Sequence, residues 1–373
     1  MTTYDRAIEQ ARDLLRWRSP LRTELWASRL AAEADQDLLD GLARSERPEA
    51  RLALAALAAV DAADLLTPSD PDTPPTGQET DHPTLPDEAD PTAHTPTSRE
   101  TEPSVDGAGE VGAGEVGAGE VRAPDLAGLG REALTWLPGW AGRMGRVRCE
   151  GAWYGRGDRY GEQVLAALAF RYANGKEPHL LVVGIDQAHG GLAVDAVVEE
   201  PTFLDDLGLA PAPEDVVAGR VLDAFEVTDL LMGAEVADSL PAVRALALSR
   251  ARSVPDPVRH APDETFTAFE DLPALPGADE AFGALAEFLG ERPLWWSPAR
   301  VSAFLTSWLP REAILGDAAI AAMPEVLRAW TRHLGDHEEI LDRIAAEAPR
   351  LPALMADDSL AGLAKRVARS RPR

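Results

Sequence analysis

Residues 164–200 read VLAALAFRYANGKEPHLLVVGIDQAHGGLAVDAVVEE, and this stretch decides the fold. Two apolar runs flank Asn174-Gly175, the strongest short-range hairpin signal, because both residues tolerate the left-handed backbone that a tight turn demands. A third run, Leu192 to Val198, follows a second turn over Gln187 to Gly191. The expectation is an antiparallel meander. Pairing outward from the turns sets Phe170 opposite His179, Leu168 opposite Leu181, and Val183 opposite Asp195. One face then gathers Leu168, Phe170, Leu181, Val183, Ile185 and Asp195. The other gathers Leu165, Leu180, Val182, Leu192 and Val194, with Arg171 and Gly184. Both faces are apolar, which predicts a sheet covered on both sides by the helices that precede and follow it. Alanine favours helix, so a helical Gln163 to Tyr172 is the rival to this strand. A further strand is expected over Arg146 to Tyr154, joined to the meander by the glycine-rich loop Gly155 to Gly161.

The chain has 373 residues, 45% of them hydrophobic, enough for a sizeable core. Its net charge of −27 repels phosphate backbones and anionic membranes, so nucleic acid is an unfavourable partner. Cys149 is the single cysteine, which rules out intramolecular disulfides and any multi-cysteine metal centre. No apolar run approaches the roughly 20 residues a bilayer requires, and the charged N-terminus lacks a signal-peptide core. A cytoplasmic protein is expected.

Outside the meander the ordered chain reads as helix. Residues 1–66 form an N-terminal helical segment, with helices from Tyr4, over Leu21 to Leu42, and from Pro48 to Leu66. Arg16, Arg18 and Arg22 cluster near the first turn and read as a solvated face. About 60 residues make a marginal core alone, so this segment is expected to fold back on the body. Residues 67–125 read as a disordered linker. Between Thr67 and Arg122 there are 13 acidic and 2 basic residues and almost no large apolar one. Such a segment buries too little to offset its ordering entropy. Its stretch Gly107 to Gly112 matches G-x-G-x-x-G, but it lacks the strand before and the helix after that give the fingerprint its chemistry.

Residues 126–373 form the α+β body with a helical C-terminal half. Helices are expected over Glu214 to Leu231, Pro241 to Arg252 and Asp279 to Leu289. Another starts at the Ser297 cap, carries Val301, Phe304, Leu305 and Trp308 on one face, and ends at Pro310. Pro324 to Leu334 follows, then His337 to Ala348, capped by Asp336 and Glu339. The last helix, Ser359 to Ser370, leads into the basic tail Lys365, Arg366, Arg369, Arg371 and Arg373.

Complete catalytic motifs are missing: there is no P-loop, no G-x-S-x-G and no H-E-x-x-H. The sharpest constellation is Asp186 and His189 at the second turn, where a carboxylate and an imidazole could share a proton or hold a metal, with Asp158 as a third ligand. The plainer expectation is that turn carboxylates bind their own backbone amides. Asp195, set among apolar neighbours and facing away from Asp186, would be a buried acid paired with Arg143, Arg146 or Arg148, or else a general base. Gly335-Asp336 separates His333 from His337, so their spacing is not a helical metal pair. Cys149 reads as a small core residue. The catalytic candidates are therefore Asp158, Asp186, His189 and Asp195, with no cofactor and no metal expected.

Several runs resemble motifs of a family of actinobacterial proteins of unknown function. They are Ser19 to Ser28 (SPLRTELWAS), Leu137 to Ala141 (LPGWA), Gly157 to Gln163 (GDRYGEQ), Val183 to Asp186 with Gly190-Gly191, and Trp296-Ser297-Pro298 through Phe304-Leu305 to Trp308-Leu309-Pro310-Arg311. The resemblance implies that both ordered regions belong to one architecture, and it carries no activity. The expectation is a small antiparallel meander covered by helices, in a non-enzymatic interaction or regulatory protein with a protein partner. The alternatives are a metal-dependent hydrolase using Asp158, Asp186 and His189, and a DNA-associated regulator acting through the basic tail.

Overall fold

Asn174-Gly175 does turn the chain. Gly175 takes φ +75°, and strands β2 (Gln163–Tyr172) and β3 (His179–Asp186) pair antiparallel with Phe170 opposite His179 and Leu168 opposite Leu181. The structure is a computed structural model, and it describes residues 2–61 and 125–370 apart from 263, 264, 267 and 336. Residues 67–124 of the linker expected over 67–125, the glycine fingerprint at 107–112, the cap at Asp336, and Arg371 and Arg373 lie outside these residues, while Asp125 belongs to the ordered body as the cap of a helix.

Strands β1 (Val147–Arg156), β4 (Leu192–Glu199) and a three-residue β5 (Ala210–Ala212) complete an antiparallel sheet of order β4-β3-β2-β1-β5. β5 has no signal of its own; Pro211 is tolerated there because the strand lies on an edge. Two irregularities shift the register. Glu150 bulges out of β1 and meets Arg171 at 2.9 Å. In β4 the expected register holds for Asp186–Leu192 and Ile185–Ala193, then slips by one, so that Asp195 lies opposite Gly184 and not Val183. The lone glycine inside β3 marks the spot.

One face of the sheet forms a core of Leu168, Phe170, Leu181, Val183 and Ile185 with α6 (Glu214–Leu230) and α7 (Ser239–Arg252). The opposite face, with Ala167, Leu180 and Val182, is covered by Leu204, Leu207 and Leu209 of the segment after β4, not by α-helices. That cover is thin: Trp153, Leu165, Ala169 and Val197 stay half-buried.

The N-terminal helices are α1 (Thr3–Trp17), α2 (Pro20–Glu33), α3 (Gln36–Ala43) and α4 (Pro48–Ala59). The helix expected over 21–42 is thus two. Ala34 is extended and Asp35 caps α3, its carboxylate accepting from Leu38 N at 2.8 Å. Their apolar faces share one core with α5 (Leu126–Leu134) and with Ala245 and Leu246 of α7. A buried polar network joins the same parts. Arg250 of α7 meets Glu24 of α2 at 2.5 Å, both side chains almost wholly enclosed. Arg250 Nε donates to His179 Nε2 at 3.0 Å and Nη2 donates to Tyr172 Oη at 3.1 Å. Tyr172 Oη and the Gly145 amide both donate to Glu24.

The C-terminal half packs α8 (Ala278–Leu289), α9 (Pro298–Ala303), α10 (Leu309–Glu312), α11 (Asp317–His333), α12 (Glu338–Glu347) and α13 (Leu351–Ala356) around Trp296, Phe304 and Trp330. Two prolines expected at helix boundaries sit inside instead. Pro324 lies within α11. Before Pro310 the chain forms a π-turn over Phe304–Trp308, Leu309 N bonding back to Phe304 O, and continues into α10. The wider turn accommodates a residue that has no N–H to give. The last helix, α14, begins at Leu363 rather than Ser359.

Candidate functional site

Asp186 ends β3, and its carboxylate closes the turn that follows. Oδ1 accepts from Ala188 N at 2.8 Å and His189 N at 3.1 Å, while Oδ2 meets His189 Nδ1 at 2.8 Å. That hydrogen bond, then the carboxylate charge, raises the His189 pKa above its ordinary value. The imidazole is oriented but stands out in solvent. Asp158 is likewise committed to its own loop, accepting from the amides of Tyr160 (2.7 Å), Glu162 (3.3 Å) and Gln163. Glu162 O and Gln187 N join the two loops at 2.8 Å. Among the described residues no group of three His, Cys, Asp or Glu side chains is placed to hold a metal ion.

Asp195 is half-buried and accepts from the Ser239 hydroxyl. The expected arginine partner is replaced because the β4 bulge carries the side chain out of the predicted face. Cys149 is half-buried beside Glu214, and burial above all pushes its thiol up to about 11, which makes it a poor nucleophile at neutral pH. The basic tail is partly consumed by the chain itself: Lys365 is buried, with Nζ donating to Pro310 O at 2.8 Å, and Arg366 Nε donates to Ala361 O at 2.7 Å.

The glycine-rich loop turns out to dock the sheet on the C-terminal helices. Arg156 donates to Leu294 O at 3.2 Å and Leu334 O at 2.6 Å, Arg159 grips Glu339 with bonds of 2.7 and 2.5 Å, and Trp296 N donates to Tyr160 O at 2.9 Å. Gly161, at φ +67°, lies so close that an added Cβ would fall 2.2 Å from Leu294 O.

Of the concavities among the described residues, two concern the elements above. The larger, of 540 Å³, is a groove between α1 and α2. Thr3, Ala7, Gln10, Leu14 and Trp17 face it from α1, and Arg22, Trp26, Arg29 and Glu33 from α2, a helical spacing along the length of both. Trp26 Nε1 donates to Gln10 Oε1 across its floor at 2.7 Å. Trp17 is 61% exposed, with the Arg22 guanidinium 4.5 Å above its ring. Arg6 closes one end on Glu33 at 3.3 Å. Arg18, Arg22 and Arg29 have no carboxylate partner among the described residues. The arginine cluster is visible in the sequence; its apposition to Trp17, Trp26 and Arg29 requires the angle between two helices.

The smaller concavity, of 240 Å³, opens beside the β3–β4 turn and is walled by Gln187, Gly190, α6 from Arg220 to Leu230, His260 and Arg292. Asp223 accepts from His260 N at 2.7 Å and pairs with Arg259. The sequence gives no hint of this convergence, which draws on segments 37 to 105 residues apart. No protein-family model, curated protein or solved structure matches the chain.

Proposed function

We propose that the chain is a non-enzymatic interaction protein of the cytoplasm whose α1–α2 groove receives an acidic amphipathic helix of a protein partner. The groove carries the reading. It has an apolar floor, runs along helices of about 20 Å, and presents Arg22 and Arg29, which have no carboxylate partner among the described residues, on a chain whose net charge is −27. An elongated trough suits a helix laid along it better than a small molecule. Charge complementarity favours an acidic occupant and speeds its approach. No helix among the described residues is long and apolar enough to cross a membrane, in keeping with a partner in the aqueous phase. The carboxylates of Asp158 and Asp186 are already taken by backbone amides, which disfavours the hydrolase reading, and the burial of Lys365 disfavours DNA binding through the tail.

The test is affinity capture from native lysate with the wild-type chain and with Arg22→Glu/Arg29→Glu, combined with a photoreactive residue at position 17. The expected result is a partner cross-linked through an acidic helical segment, weakened by added salt and lost with the charge reversal. Equal capture by both proteins, or cross-links outside the groove, would overturn the reading.

A further inference from the structure

Leu230, Leu231 and Met232 are the one run of three large apolar side chains left exposed among the described residues, Met232 wholly so. The run starts on the last residue of α6 and turns tightly: Ala234 N donates to Leu231 O at 3.3 Å, and Gly233 takes φ +75°. Both stems of this knuckle are tied to the edge strand β4. Thr228 Oγ1 donates to Ala193 O at 3.0 Å before it, and Ala237 N donates to Val194 O at 2.8 Å after it. Apolar side chains held out in a fixed turn contribute nothing to the protein's own core and are ready for a contact with another molecule.

The surroundings set the sign of that partner. From Glu226 to Asp238 the chain has four acidic residues and no basic one. Glu226 is paired with Arg259 and Asp229 with Arg244, while Glu235 and Asp238 are exposed and form no ion pair among the described residues. The α1–α2 groove matches in shape and in charge. Its carboxylates Asp13 and Glu33 are paired with Arg16 at 3.6 Å and Arg6 at 3.3 Å, which leaves Arg22 and Arg29 over an apolar floor. Trp17 and Trp26 line it, and a methionine adapts to irregular gaps and packs well on aromatic rings. With a net charge of −27, two copies of the chain repel each other, so they meet only where a local patch of opposite sign is offered.

We propose that the knuckle at Leu230–Met232 inserts into the α1–α2 groove of a second copy of this chain, with Met232 against Trp17 and Trp26, and Glu235 and Asp238 beside Arg22 and Arg29. This rests on the groove reading above and names its occupant: the acidic, apolar helix end is that of α6. The contact joins unlike surfaces, so every copy carries one knuckle and one groove. It is small, and the association follows concentration.

Light scattering of the full chain against concentration tests this. The wild type gains mass as the concentration rises towards about 100 µM. Met232→Asp, at a wholly exposed side chain, and Arg22→Glu/Arg29→Glu each stay monomeric while keeping the wild-type circular dichroism. Mixed together, the two variants associate, because one supplies an intact groove and the other an intact knuckle. A wild type that is monomeric at that concentration, association untouched by either variant, or a mixture that stays monomeric would overturn the proposal. A monomeric wild type whose position 17 still cross-links an acidic helix of a different protein overturns this inference and spares the groove reading.

Discussion

His179 keeps its imidazole neutral for a reason that can be read atom by atom. Nδ1 lies 2.9 Å from the carbonyl of Glu177, so it carries the proton, and Nε2 is left to accept from Arg250. Burial, then the charge of Arg250, lowers its pKa from 6.5 to about 4. A histidine whose folded pKa is depressed contributes stability that is complete above 6.5 and is lost as the pH falls towards 4. Denaturant unfolding across that window should show a loss of about 3 kcal/mol that is absent in His179→Gln, whose amide oxygen still accepts from Arg250. If both proteins lose stability in parallel, the imidazole is not the titrating group. The Glu24–Arg250 pair gives a second residue-scale prediction. Removing either charge strands the other inside the protein, so Glu24→Gln and Arg250→Met should each cost about 3–5 kcal/mol. The double variant should cost less than their sum. Additive losses would show that the two charges act independently. Neither partner stands out in the sequence: Glu24 and Arg250 are 226 residues apart, and only the packing of α2 on α7 joins them.

Loops as elements make separable demands on glycine. Gly161 and Gly175 both adopt positive φ, but Gly175 has open space around it, whereas a Cβ on Gly161 would meet the backbone of Leu294. Gly175→Ala should cost about 1 kcal/mol, the conformational penalty alone. Gly161→Ala adds a collision between backbones and should cost about 2 kcal/mol more. Equal values by thermal or chemical denaturation would mean that the loop is not pressed against residues 294–296. At this scale the sequence was a good guide wherever local chemistry decides. Asn174-Gly175, the Ser297 cap and the apolar runs of β2 and β3 all report on their immediate neighbours. It misled where packing decides. Pro310 was expected to end a helix that a π-turn carries through, and Asp195 was displaced by one extra residue in β4.

Across the whole molecule, the meander and the helices on one of its faces were legible from apolar runs and helical periodicity, whereas the helical cover expected on the other face is a short segment after β4. The two clefts were not legible, because each is the gap between elements whose angle no periodicity encodes. The 13 acids between Thr67 and Arg122 show how far charge is segregated along the chain, and Arg22 and Arg29 of the groove, which have no carboxylate partner among the described residues, are a local exception. Those arginines give the groove its sign, and reversing two of them is the most direct way to ask whether the trough is used.

The shared core of α1–α5 with α7, stitched by Glu24 and Arg250, has a consequence for chain continuity. A peptide bond severed anywhere from residue 62 to 124 would leave both pieces with complementary halves of one interior. They should remain associated through gel filtration, reassemble after mixing as separately produced polypeptides, and melt at a temperature that climbs with their concentration.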